Sequence, residues 1–159
     1  MKDKFFLAVG LLIILGSFYL FWNRPANSHY QNPANSLQLT ADSFIRIGEQ
    51  TIQIEIADTD AERNLGLSGR PSLPEGRGLF FIFDIPGKYG FWMKDMNFPI
   101  DIVWIDESWH VVAVERDVPP DSYPKIFYPV RAIKYVLELP AGTAALKRID
   151  VGAPVYLSE

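Results

Sequence analysis

From Ser43 onward, apolar and polar residues alternate with a period of two, the pattern of strands that bury one face. Phe44, Ile45 and Ile47, then Ile52, Ile54 and Ile56 interleaved with Gln53 and Glu55, predict two strands joined at Gly48-Glu49, a two-residue turn with glycine first. Thr59-Asp60-Ala61-Glu62 fits a capping box: Thr59 accepts from the Glu62 amide and the Glu62 side chain reaches back, so a short helix follows, ended by Gly66. Pro71, Pro74, Gly76 and Gly78 predict an irregular connection to an apolar strand over Leu79 to Phe83, with a turn at Pro86-Gly87. Two hairpins come next in the pattern, Tyr89 to Met96 against Ile100 to Ile105, and that strand against Trp109 to Val114 across Asp106 to Ser108. A loop containing Pro119, Pro120, Pro124 and Pro129 leads to a strand over Ala132 to Leu139, one helical turn over Ala144 to Arg148, and a last strand over Pro154 to Leu157. About eight short strands with one short helix predict a mainly β domain, an antiparallel sandwich or a partly open barrel. A parallel sheet is not expected, because its crossover helices are not evident.

The N-terminus has a different pattern. Phe5 to Trp22 is an uncharged apolar run, and at about 1.5 Å per residue it reaches roughly 27 Å, the thickness of a bilayer core. Phe18, Tyr19 and Trp22 crowd its distal end, where amphipathic rings favour headgroups, and Lys2 and Lys4 precede it, which favours a cytoplasmic N-terminus. The competing reading is a cleaved secretory signal. The run is longer than a signal's apolar region and ends in Phe-Trp-Asn-Arg rather than in small residues, so an uncleaved anchor is expected over residues 1–24. Residues 25–42, in which Pro-Ala-Asn-Ser occurs twice, read as a polar tether. Residues 43–159 then form one domain on the extracytoplasmic side of a membrane, in a periplasm or at the cell exterior.

Composition removes several function classes. The chain has no cysteine, which excludes disulfides, thiolate metal sites, a cysteine nucleophile and lipidation of a cysteine. The net charge is −4 with +2 on the first 24 residues, so the remainder is acidic and has no Lys/Arg cluster with which to grip a phosphate backbone; no nucleic-acid partner is expected. Only His29 and His110 are present, and His29 lies in the tether, so neither a catalytic triad nor a histidine metal site is expected. Gly66-Leu67-Ser68-Gly69 is one residue short of a nucleophile elbow and follows no strand, and Gly76-Arg77-Gly78 is too short for a phosphate loop. Asp58 and Asp60 are explained by their place at a helix start. No cofactor is expected.

Candidate chemistry concentrates between Gly90 and Asp101, where charges stand inside an apolar and aromatic stretch and must be paired or solvated. Strand alternation would put Trp92, Lys94 and Met96 on one face, and a return strand beginning at Asp101 would bring that carboxylate to Lys94. The functional reading is a cleft in which Trp92 stacks on a ligand while Lys94, Asp101, Glu138 and Arg70 bond it. The plainer reading, given more weight, is a network of charges fixing strand register, with Trp92 in the core. Arg63 and Arg70 could clamp a carboxylate or phosphate, against pairing with Glu62 or Glu75 at the surface. Tyr123, Phe127 and Tyr128 could form a lid on the proline-dense loop or simply pack it.

Taken in order, Glu62-Arg63-Asn64-Leu65-Gly66-Leu67-Ser68-Gly69-Arg70, Gly78-Leu79-Phe80-Phe81, Phe91-Trp92-Met93-Lys94-Asp95-Met96, Pro99-Ile100-Asp101 and Tyr135-Val136-Leu137-Glu138-Leu139-Pro140-Ala141-Gly142 closely resemble the domain of unknown function 192 family, over about residues 50–158. The resemblance implies a compact β-rich barrel or sandwich with little helix, commonly behind a signal or anchor, and carries no activity with it. This chain has Asp95-Met96 where the family pattern usually has Asn-Thr, and Gly78-Leu79-Phe80 where Gly-Met-Leu is common.

No catalytic set is complete, so the leading expectation is a binding or interaction module of the cell envelope for a small polar ligand or an envelope protein. An acid–base enzyme acting on an envelope polymer, with Lys94 and a carboxylate as the working pair, is the second. An accessory subunit of a membrane complex is the third.

Overall fold

A computed structural model describes residues 43–158. The predicted anchor and tether lie outside the described residues, and no described helix is long and apolar enough to cross a membrane. Seven strands form one sheet: β1 (Phe44–Ile47), β2 (Gln50–Ala57), β3 (Arg77–Gly87), β4 (Ile100–Ile105), β5 (Val111–Val118), β6 (Ile133–Pro140) and β7 (Val155–Ser158), in the order β5-β4-β6-β3-β2-β1-β7. The β1–β2 hairpin forms as predicted, with Ile47 opposite Gln50 and Gly48 at φ 58° in the turn. The β4–β5 hairpin and strand β6 also lie where the alternation placed them.

Two expectations are corrected. The sheet is mixed rather than antiparallel, because β2 and β3 run parallel, Gln53 through Ala57 beside Arg77 through Phe81. The crossover that a parallel pair needs is the capped helix Asp60–Leu65 with the irregular segment 66–76 behind it. The helix is held by the predicted box, the Glu62 amide donating to Thr59 Oγ1 at 3.2 Å and Thr59 N–H donating to Glu62 Oε2 at 3.1 Å. Second, Tyr89 to Met96 is not a strand. Its one ladder contact is an isolated bridge from Phe91 to Phe127, and Asp95 turns the chain at φ 57°, a left-handed value that Asn and Asp tolerate best among non-glycine residues. The alternation there arises because the segment lies over the sheet, burying Phe91 and Met93 beneath it while Trp92 and Lys94 face out.

The sheet curls into a half-barrel whose outermost strands meet at one end. Val111 N–H donates to Ala153 O at 3.0 Å, Gly152 N–H to Val111 O at 2.8 Å, and Val155 N–H to Trp109 O at 2.9 Å. The curl separates two apolar clusters. Ile45, Ile52, Phe80, Val103, Val111, Leu137 and Val155 belong to one that draws on all seven strands, which only a concave face can gather. The other holds the alternate positions Leu79, Phe81, Ile102, Trp104 and Val136, together with Leu67, Leu73, Phe91, Met93 and Phe127 from the connections. The second layer of a sandwich is thus replaced by loops packed on the convex face. The short helix Thr143–Leu146 follows β6, and its Ala144 joins the concave cluster.

Candidate functional site

Glu138 lies on β6, between Leu79 of β3 and Ile102 of β4, so its side chain leaves the convex face in the middle of the sheet. The connections cover it, and the residue is 6% exposed. Its Oε2 has no hydrogen-bond partner. Burial pushes the carboxyl up to about 8, with the charge of Arg70 pulling the other way, so at neutral pH the group is chiefly protonated. Gly78 across the ladder leaves no room for a side chain: a Cβ there would lie 3.0 Å from the Glu138 carbonyl oxygen and 2.8 Å from Leu137 Cδ1.

Glu138 is among the residues that line a cavity of about 220 Å³. One wall is the end of the capped helix, with Arg63, Leu65 and Gly66; the other is Tyr89 to Trp92, with Phe81 and Phe83 of β3 at the floor beside Glu138. Trp92 stands at the wall 48% exposed. Phe83 and Tyr89 stack at 3.7 Å, and Phe91 meets Phe81 edge to face at 5.0 Å. Both walls are tied down. Arg63 donates to Ile82 O at 2.7 Å and to Asp60 Oδ1 at 2.6 Å, and also to Asp58 O, which pins the helix to β3. Ser68 Oγ donates to Lys94 O at 3.0 Å and Gly69 N–H to Asp95 O at 2.8 Å, and Phe91 and Phe127 exchange both backbone bonds. A second groove of about 330 Å³ shares Arg63, Asn64, Phe83 and Tyr89 with the first and adds Asp60, Asp84 and Ile85.

Of the residues singled out in the sequence, Trp92 and Glu138 of the candidate cleft meet at this cavity, with Arg63 and Ser68 also in its lining. Arg70 is near enough to act on Glu138 electrostatically, but its guanidinium pairs with Glu55 at 2.9 Å. Lys94 is exposed and enters none of the ion pairs among the described residues. Asp101 is fully buried, next to Ile100 and Ile102 of the convex cluster and therefore facing the other way. Its carboxylate accepts from Asp117 N–H at 2.9 Å, Gly142 N–H at 3.2 Å and Ala144 N–H at 2.7 Å. The Lys94–Asp101 pair is therefore absent: the hairpin meant to bring the two together does not form, and Asp101 ties β4 to β5 and to the turn after β6. Arg63 and Arg70 pair with Asp60 and Glu55 rather than with Glu62 or Glu75. His110 is exposed, with Nδ1 at 2.8 Å from Ser108 O, and among the described residues no His, Asp and Glu cluster could hold a metal. Sequence reasoning did not assign Phe83 and Tyr89 to the site; the alternation of Phe81 with Phe83 was the available signal.

A second polar atom on the same face, Trp104 Nε1, is also buried without a partner, and its ring meets Phe91 edge to face at 6.4 Å. Buried polar groups are rarely left unpaired, and this face of the sheet has two of them, Glu138 Oε2 and Trp104 Nε1.

A β half-barrel with a loop-covered convex face defines the class of protein. The family model for domain of unknown function 192, described as "Uncharacterized ACR", matches residues 43–157, and the chain belongs to that family. Its fold is similar to that of a protein of unknown function from Novosphingobium aromaticivorans DSM 12444, with a TM-score of 0.67 and 26% identity over 71% of this chain and 83% of that one. It is also similar in fold to a candidate transcription regulator from Sinorhizobium meliloti 1021, with a TM-score of 0.69 and 21% identity over 76% of this chain and 97% of that one. No curated protein is a significant match.

Proposed function

We propose that the domain is a binding module that takes a ligand group into the cavity between the capped helix and Trp92, with the Glu138 carboxyl at its base. The observation that carries this reading is Glu138 itself, a residue that lines an aromatic-walled cavity while its carboxyl keeps one oxygen, Oε2, buried and without a hydrogen-bond partner. A raised carboxyl pKa is also what a general acid needs. Glu138 is, however, the only carboxylate among the lining residues, while Tyr89 Oη donates to Ile85 O and Ser68 Oγ to Lys94 O, so no second acid–base group is ready to act with it. Binding is therefore favoured over turnover.

The full-length chain tests this with the Trp92 indole signal, assigned through Trp92→Phe, as small amines, sugars and short peptides are added. The expected result is a saturable shift of Trp92 with a rise in melting temperature for one chemical class. An indole signal indifferent to all of them would end the cavity reading.

We propose further that residues 5–22 anchor the protein in a membrane, with the domain on the extracytoplasmic side. The support is the uncharged apolar run and the lysines before it. Resistance to alkaline carbonate extraction, with protease access to residues 43–158 only from the outer side, is the expected outcome; release by carbonate would overturn it.

A further inference from the structure

The binding reading leaves open what chemistry the cavity selects, and charge and shape narrow it. At about 220 Å³ the cavity is smaller than the roughly 300–1,000 Å³ of pockets for drug-sized ligands, so it suits a single side-chain-sized group. Its walls are aromatic: Phe83 is stacked on Tyr89 and lies under the Arg63 guanidinium at 5.5 Å, while Trp92 stands 48% exposed, and an exposed ring face attracts cations through its quadrupole. The adjoining groove carries Asp60 and Asp84, and Arg63 is the one cation lining either space. That cation is already spent on Asp60 and on the carbonyls of Asp58 and Ile82. Arg70, the cation that acts on Glu138, is held by Glu55. Arg70 beside the carboxyl and Arg63 in the same cavity are thus both bound elsewhere, and a positive group brought by a ligand would give the carboxyl the partner the fold does not supply.

Resting on the binding reading above, we propose that the cavity receives an organic primary ammonium ion on a short unbranched stem, the nitrogen against the Glu138 carboxyl and the stem along Trp92 and the Phe83–Tyr89 pair. A free alkylamine and a lysine side chain in a peptide share this chemistry. Phe83 and Trp92 supply apolar area for the methylenes, and the Asp84 carboxylate in the adjoining groove favours the approach of a cation, Asp60 being paired with Arg63. Binding in this way converts a carboxylic acid and an ammonium ion into an ion pair and releases one proton from Glu138 to solvent. The charge acting on that proton is that of Arg70, itself paired with Glu55; Arg63 lines the same cavity, and Tyr89, the other titratable lining residue, is hydrogen-bonded to Ile85 O. Near pH 7 the release approaches one proton per ligand, and it vanishes well above pH 8, where the carboxyl is already ionised.

Calorimetry on the full-length chain, in two buffers of different ionisation enthalpy, tests the idea with butylammonium, neutral 1-butanol and Nα-acetyl-lysine methylamide. Saturable butylammonium binding with proton release at pH 7, and at least tenfold weaker binding with loss of that release in Glu138→Gln, is the expected result. Binding of the lysine derivative equal to or tighter than that of butylammonium assigns a peptide source, and weaker binding assigns a free amine; either supports the ammonium reading. If 1-butanol binds as tightly as butylammonium, or if amine binds without releasing a proton, the ammonium reading fails while the cavity reading stands. If neither amine nor alcohol binds but a sugar or another neutral compound shifts Trp92, the ammonium reading fails alone; if nothing shifts Trp92, both fail. The wild-type proton release keeps the test decisive even if Glu138→Gln does not fold.

Discussion

Asp101 accepts from three backbone amides at 2.7 to 3.2 Å, whereas Glu138, one strand away on the opposite face, has an oxygen with no partner. Removing each should have opposite consequences. Asp101→Ala leaves the amides of Asp117, Gly142 and Ala144 buried without an acceptor, and a loss of roughly 3–5 kcal/mol in urea unfolding is expected; a loss below about 1 kcal/mol would mean that other groups hold that junction. Glu138 has a folded pKa near 8, above its unfolded value, so between about pH 4.5 and 8 the folded state holds a proton that the unfolded state has lost. Its contribution is complete below that window and is lost as pH rises through it, at up to roughly 1.4 kcal/mol per pH unit. Glu138→Gln should flatten the fall in stability across pH 5–8, and a variant whose pH profile overlays the wild type would refute the assignment. The sequence singled out both carboxylates without separating their roles. Which face each takes depends on strand pairing, and the three donors to Asp101 come from residues 16, 41 and 43 positions away.

At the level of elements, the loop layer does the work that a second sheet does in a sandwich. Its fit depends on Gly90: a Cβ there would lie 2.6 Å from Ile126 Cγ2 and 2.7 Å from Tyr128 Cε1. Gly90→Ala should push the 126–128 segment off the Phe91 bridge and destabilise the domain by about 1–3 kcal/mol. Faster amide exchange at Phe91 and Phe127 should accompany the loss, and unchanged protection there would show that the loop adapts without releasing the bridge. Elements governed by neighbours in sequence were legible: the β1–β2 hairpin from its glycine turn, the capped helix from Thr59 and Glu62, the β4–β5 hairpin from alternation. The parallel β2–β3 pair was not, because the single crossover helix exposes most of its residues and buries none, and so lacks the apolar stripe that marks a crossover in sequence. Tyr89 to Met96 misled for a related reason, since a segment laid over a sheet alternates in burial just as a paired strand does.

Across the whole domain, the half-barrel is drawn together where Trp109 and Val111 meet Gly152 to Val155. The amides of Val111 and Val155 at that seam should exchange in the slow class with Val103 and Leu137 of the central strands rather than with those of the proline-dense loop. Loop-like rates at both would show the seam to be open. The other closure lies at β1, which pairs with β2 on one side and β7 on the other, Phe44 opposite Ser158 and Ile47 opposite Val155. Ser158 Oγ also donates to Phe44 O at 3.3 Å across 114 positions of chain. For a polypeptide delivered N-terminus first, by a ribosome or through a translocation pore, the β1–β2 hairpin can form early. Its outer edge then stays unpaired until the final strand emerges. Completion of the fold therefore waits for residues 155–158, more than a hundred positions after β1, and the interval before they arrive is when a chaperone that shields bare strand edges would have the most to protect.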